Sequence, residues 1–185
     1  MARPRTFDRD VALEQAMHLF WERGYDRTSV SELTATMGIA PPSLYAAFGD
    51  KRRLFEEASE RYQNDPGNFT RLALTEPTVR GSVARLLHDA AIEYTRARQP
   101  HGCMIINEPL LGERRARQWT ELRDRIARGL GTGEIQGADP DQLADFVTIV
   151  LTGMSARARD GATTTELVQV ADLALRAWPE QVSSS

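Results

Sequence analysis

Thr28 to Phe55, TSVSELTATMGIAPPSLYAAFGDKRRLF, constrains the fold most, because its punctuation leaves room only for short helices. Ser29 followed by Glu32 is a capping box, in which the hydroxyl serves a free amide of the first turn and the carboxylate reaches back to the cap. Val30, Leu33 and Met37 then give one apolar helical face. Gly38 ends that helix, since glycine accepts the left-handed conformation found just past a helix C-terminus. Pro41 and Pro42 fit only the first turn of a helix, where an amide hydrogen is not needed. A second helix therefore begins near Ala40 and runs through Ala47, with Leu44 and Phe48 inward and Ser43, Tyr45, Ala46 and Ala47 left outward. Gly49-Asp50 breaks the chain again, and Asp50 caps a third helix that opens on Lys51, Arg52 and Arg53. Two short helices across a tight turn, followed by a basic helix start, are the signature of a helix-turn-helix that docks on DNA.

The preceding segment supports the motif. Ala12, Leu13, Ala16, Leu19 and Phe20 recur at helical spacing, and Gly24-Tyr25 ends the run. A three-helix head of this size is small for an independent core and is expected to lean on the rest of the chain.

The combination Leu19-Phe20, Gly24-Tyr25, Thr28-Ser29-Val30, Gly38-Ile39, Ser43-Leu44-Tyr45, Phe48 and Lys51 resembles the N-terminal domain of the TetR/AcrR family of transcriptional regulators. The segment His101-Gly102-Cys103-Met104-Ile105 is similar to one found in many members' ligand domains. The resemblance implies that Thr28, Ser43, Tyr45 and Lys51 touch DNA phosphates, which positions the protein without reading sequence. It places Pro41, Pro42 and Ala46 toward bases, where apolar contacts such as thymine methyls suit them. Ala40 stands where the family often has a capping Ser or Thr, so this recognition helix is capped less well and its reading face is apolar.

The formal net charge is -3, which would disfavour DNA binding if it were evenly spread. It is not: basic residues gather at the N-terminal arm (Arg3, Arg5, Arg9) and after the turn (Lys51, Arg52, Arg53), and the local field governs docking. Lys51 is the sole lysine. No apolar run is long enough to span a membrane, and MARPRTFDRD lacks the apolar core of a signal peptide. One cysteine, Cys103, excludes an internal disulfide and fits a reducing cytoplasm.

Beyond the motif, Leu54, Phe55, Ala58 and Tyr62 continue an apolar stripe until Asn64-Asp65-Pro66-Gly67 breaks it. Val79, Val83, Leu86, Leu87, Ala90 and Tyr94 mark a long amphipathic helix, ended by Pro100 and Gly102. Cys103 to Leu111 is a short apolar segment, and Trp119, Leu122, Ile126 and Leu130 mark another helix. Gly129 to Gly137 lacks the ending of a phosphate loop and is expected to be a connector.

Two C-terminal helices close the chain. The first is capped by Asp139 and carries Leu143, Phe146, Val147, Val150, Leu151 and Met154. The second is capped by Thr164 or Thr165 and repeats the same spacing in Leu167, Val170, Ala171, Ala174, Leu175 and Trp178. The Ser-rich tail is expected to fray. With no strand-like alternation, the expected fold is all-α with about nine helices: a DNA-binding domain over residues 1–50 and a helical ligand-binding and dimerisation domain over residues 51–185.

The resemblance implies a homodimer, a palindromic double-stranded operator and a small-molecule effector that releases a repressor. Val150 and Ala174 are the expected outward members of the dimer interface, and Tyr94, Met104, Trp119, Phe146 and Met154 the expected pocket. No cofactor and no metal is expected, because Cys, His and carboxylates lack clustered ligand spacing. Two alternatives stay open: a dimeric DNA-binding regulator without a ligand, and a small α-helical enzyme using Cys103 with His88 or His101.

Overall fold

The structure, a computed structural model, describes residues 7–65 and 67–179. Arg3, Arg5, Pro66 and the Ser-rich tail lie outside the described residues. Those described form ten α-helices and one 3-10 turn, and no strand. They fall into two compact units, residues 1–66 and 67–185.

The first unit holds α1 (Arg9–Arg23), α2 (Val30–Met37), α3 (Pro41–Phe48) and α4 (Lys51–Gln63). Asp8 caps α1 by accepting from the amides of Asp10 and Val11. The Ser29–Glu32 capping box forms on α2, and Gly38 closes that helix at φ 64° and ψ 30°. Asp50 accepts from the Arg53 amide at 2.8 Å and starts α4. Leu33, Leu44, Leu54, Phe55 and Ala58 are buried with Ala16 and Phe20 in one core. Phe55 stands edge-on to Phe20 at 5.2 Å and to Tyr25 at 5.1 Å, and Trp21 meets Tyr62 at 4.9 Å. The compact unit therefore extends past residue 50, where the sequence places its boundary, because α4 supplies the apolar face that closes α1. Burying a side chain the size of Leu54 or Phe55 stabilises by about 1.5–3 kcal/mol each, so a head cut at residue 50 would lose part of its core.

The second unit contains α5 (Phe69–Ala73), α6 (Val79–Glu93), α7 (Met104–Asn107), a 3-10 turn (Pro109–Leu111), α8 (Gly112–Thr132), α9 (Pro140–Arg159) and α10 (Thr164–Arg176). Helix α6 packs on α10, α8 on α9, and α9 also against α6 and α10. The pairs His88–Asp172 (2.8 Å) and Thr95–Thr164 (2.6 Å) fix α6 and α10 as antiparallel. Thr163, one residue before the expected caps, closes a capping box with Glu166.

Helix α8 is longer than its apolar stripe suggests and absorbs Gly129 and Gly131, which the sequence assigns to a loop. Gly129 has a packing reason: a Cβ there would lie 2.0 Å from Val79 Cγ2, so only glycine lets α8 pass α6 at this point. Nearby, buried Arg125 donates to the carbonyls of Glu76 (3.2 Å) and Pro77 (3.1 Å), and Glu134 accepts from the Val79 amide at 2.6 Å. The start of α6 is thereby held by two charged groups that partner each other at 3.7 Å, which is what a buried cation requires.

Candidate nucleic-acid interface

Helix α3 is two turns long, and its inward face is Leu44 and Phe48. Pro41, Pro42, Tyr45 and Ala46 are exposed, Tyr45 by 51%, while Ser43 and Ala47 are half-buried. Ala40 gives no side-chain cap, so the start of α3 depends on the two prolines that preset its first turn. The outward face presents pyrrolidine rings, a methyl group and one phenol. It offers apolar contact rather than a row of hydrogen-bond donors.

The flanks are basic. Lys51 opens α4 with its ammonium 4.0 Å from the centre of the Tyr25 ring, a cation–π contact that holds it at the surface in a defined place. Arg52 pairs with Glu56 at 2.8 Å, which raises its pKa, chiefly through that hydrogen bond. The side chain of Arg53 folds over Gly49, where a Cβ would come within 2.9 Å of Arg53 Cδ. At the other end of the motif Glu32 is held below the ordinary carboxylate range, first by the Ser29 backbone amide and then by the Ser29 hydroxyl, with Arg23 adding to both.

Six of the seven residues expected at DNA lie on this surface or half-buried at its edge; Thr28 does not. Its side chain is fully buried, and its hydroxyl donates to the Gly24 carbonyl at 2.7 Å. That bond serves a carbonyl at the end of α1, so the hydroxyl is spent inside the head. The sequence pattern cannot separate a phosphate contact from an internal turn bond, because both ask for a short hydroxyl at a helix start.

In the second unit the five expected pocket residues fall into two groups. Tyr94, Met104 and Met154 are buried, on elements tied together by the segment around Cys103. The Gly102 amide donates to the Tyr94 carbonyl at 2.9 Å. The Cys103 amide donates to Ser155 Oγ at 2.9 Å, and Asn107 shares that hydroxyl at 3.0 Å. The Tyr94 phenol is pushed well above its ordinary pKa by burial, with Cys103 contributing. Trp119 and Phe146 are only half-buried and lie elsewhere: the indole donates to exposed Asp145 at 2.8 Å, at the seam of α8 and α9. Phe146 and Met154 are separated by eight residues of one helix, or about 12 Å along its axis.

The two residues expected at the dimer interface are not fully exposed in the single chain. Ala174 is 7% exposed, because α10 turns it into its own chain's packing, and Val150 is half-buried. On α9 and α10 the large apolar residues that face outward are Ile149 (70% exposed), Leu173 (62%) and Val170 (42%). Of the histidines considered beside Cys103, His88 pairs with Asp172, and His101 Nδ1 lies 3.2 Å from the Ala158 carbonyl.

An all-α chain with a tight two-helix turn, an exposed second helix and a basic helix start belongs to the class of helix-turn-helix DNA-binding proteins. The profile of bacterial regulatory proteins of the tetR family matches residues 12–58. Over 97% of its length the chain is 35% identical to the HTH-type transcriptional repressor ComR of Escherichia coli K12, covering 93% of that protein. It is 31% identical to the HTH-type transcriptional repressor BdcR of the same organism, over 93% of this chain and 89% of BdcR. Among solved structures it superposes on a cysteine mutant of the TetR family regulator CifR complexed with 26-bp operator DNA, with a TM-score of 0.89 and 39% identity over 96% of this chain and all of the other. The chain belongs to the TetR family of bacterial transcriptional regulators. The matched relatives are regulators, which removes the enzyme alternative built on Cys103.

Proposed function

We propose that this protein is a homodimeric repressor that places the exposed face of α3 in successive major grooves of a palindromic operator. The exposed face of Pro41, Pro42, Tyr45 and Ala46, ending at the basic start of α4, carries the reading. CifR, 39% identical, has been solved on operator DNA, and ComR and BdcR are repressors, which supports operator binding and repression here. Lys51, Ser43 and Tyr45 contact phosphates, while Pro41, Pro42 and Ala46 meet base edges. Two equal heads on a two-fold dimer call for half-sites about one helical turn apart, or a multiple of that. The outward apolar residues Ile149, Val170 and Leu173 support dimerisation through α9 and α10. The protein acts in the cytoplasm.

Residues 67–185 hold a small-molecule effector near Tyr94, Met104 and Met154, where a buried phenol stands beside a buried thiol. The effector lowers operator affinity by favouring a state in which the heads no longer match successive grooves; a coupling of about 1–3 kcal/mol suffices.

The test is salt-dependent binding to a duplex selected by the wild-type protein from a random pool. Lys51→Ala should weaken binding to all sequences alike and reduce the salt slope by about one unit for each phosphate no longer neutralised. A variant that changed sequence preference while keeping the slope would contradict the phosphate assignment.

A further inference from the structure

Helix α3 has a weak start, and its far end is held by a residue that the helix-turn-helix motif does not contain. Arg9, the first residue of α1, directs Nε and Nη2 at the Ala47 carbonyl, 3.4 Å from each. Its guanidinium carbon lies 4.5 Å from the centre of the Phe48 ring. Nη2 also donates to Glu57 Oε2 of α4 at 2.6 Å. One side chain from α1 therefore meets a late carbonyl of α3, its last ring and α4 together.

Each contact has a physical reason. The last carbonyls of a helix lack intrahelical partners and carry partial negative charge, so a cation there is favourable. A guanidinium is flat enough to lie on an aromatic ring while its edge donates to an oxygen. Glu57 accepts from the same Nη2 that reaches Ala47 and so ties the guanidinium to α4.

We infer that Arg9 is a positioning residue for DNA recognition: with Glu57 it braces the C-terminal end of α3 and sets the angle at which the reading face enters the groove. This rests on the proposal that α3 faces the bases. Ala40 gives no side-chain cap, so the axis of a two-turn helix depends heavily on what grips its other end. Arg9 is half-exposed, and as a cation beside a DNA-binding helix it could instead serve as a phosphate contact. The two roles differ in what they do to specificity. A phosphate contact strengthens binding to every sequence; a brace strengthens only binding that needs the correct angle.

The experiment compares Arg9→Gln, Glu57→Gln and the double variant with wild type. Affinities are measured for the selected duplex and for poly(dI-dC) across a salt series, with thermal melting to confirm folding. An exposed ion pair is worth up to about 1 kcal/mol, so the ratio of specific to non-specific affinity should fall about fivefold per head and about 25-fold for a dimer in each single variant. The double variant should lose no more than either single one, because both act through one contact. Glu57→Gln removes no cation, so it carries the same comparison if Arg9→Gln folds poorly. The inference is overturned if Arg9→Gln weakens both duplexes equally with a salt slope smaller by about one unit per head, or if Glu57→Gln leaves the ratio unchanged. Ala46→Asp separates the underlying proposal: if it binds the selected duplex like wild type, α3 does not face the bases and the brace falls with it. If Ala46→Asp binds poorly while Arg9→Gln keeps the wild-type ratio, only the brace is refuted.

Discussion

Ile149→Glu and Leu173→Glu should dissociate the dimer while leaving each chain folded. In the single chain these side chains are 70% and 62% exposed, so burying what remains in a partner is worth about two-thirds of a full transfer, or roughly 1–2 kcal/mol each. A two-fold interface repeats every residue, so one substitution removes about 2–4 kcal/mol of apolar burial from the dimer. It also places two carboxylates without partners at the seam, at several kcal/mol per charge. The total is at least about 5 kcal/mol, and at 1.4 kcal/mol per decade the dimer dissociation constant should rise by more than about a thousandfold.

The chain itself should be little affected, because an exposed substitution of this kind changes stability by about 0.5 kcal/mol or less. Sedimentation velocity at micromolar protein, with far-UV circular dichroism melts alongside, separates the two quantities. Ala174→Glu is the contrast: Ala174 is buried by its own chain, so this variant should melt at a markedly lower temperature whatever its association state. If both outward variants sediment as wild-type dimers, the interface lies elsewhere and the reasoning from exposed apolar residues is wrong.

Thr28→Val should lower the melting temperature, since removing the hydroxyl leaves the Gly24 carbonyl without its 2.7 Å donor, a loss of about 1–3 kcal/mol. Where the variant is folded, its affinity for the selected duplex should equal wild type; a selective loss of affinity in a fully folded variant would return Thr28 to the DNA surface. Glu32 and Glu166 have depressed folded-state pKa values, set first by the amides of Ser29 and Thr163, so their contribution is present above the unfolded carboxylate pKa and lost as pH falls through the folded value. Melts in an acid series should show Glu32→Gln losing less stability than wild type over that window, and parallel curves would contradict the linkage. Replacing thymine by uracil in the selected half-sites removes only the C5-methyl, so at each thymine that meets Pro41, Pro42 or Ala46 affinity should fall about fourfold; equal affinity at every substituted position would exclude apolar readout.

Local chemistry was the most legible part of this chain. The Ser29–Glu32 capping box, left-handed Gly38, the prolines that open α3 and the Asp50 cap all form where residue types require them. Each is decided within four residues, so spacing alone carries it. What needed partners far along the chain was not legible. Gly129 is a helix residue because Val79 passes beside it, and Trp119 is drawn to the seam of α8 and α9 by Asp145. Thr28 was illegible for another reason: its hydroxyl turns back only four residues to Gly24, and a short hydroxyl at a helix start suits a turn bond as well as a phosphate. The candidate DNA face was therefore nearly complete in sequence, since α3 shows outward what its own two turns do not bury. The five expected pocket residues have in common only size and apolarity, properties that do not say which of them share a wall.

The outward apolar positions of α9 and α10 were hard to read for a related reason. Regular offsets along α9 and α10 mark a stripe that the chain's own core claims in large part: Val147, Met154, Leu167, Ala171, Ala174 and Leu175 are buried, while Val170 on the same stripe stays 42% exposed. A position chosen from that stripe as outward, such as Ala174, is already spent. Ile149 and Leu173 break the pattern, being large, apolar and out of phase with it. In a helix that served only its own core these positions would carry polar groups, as Asp172 and Gln169 do nearby. Gly153 and Ala156, exposed one and two turns after Ile149, leave the same side of α9 low enough for another helix to approach. The apolar residues left over after the periodic stripe is assigned are thus the positions on which the proposed dimer face rests.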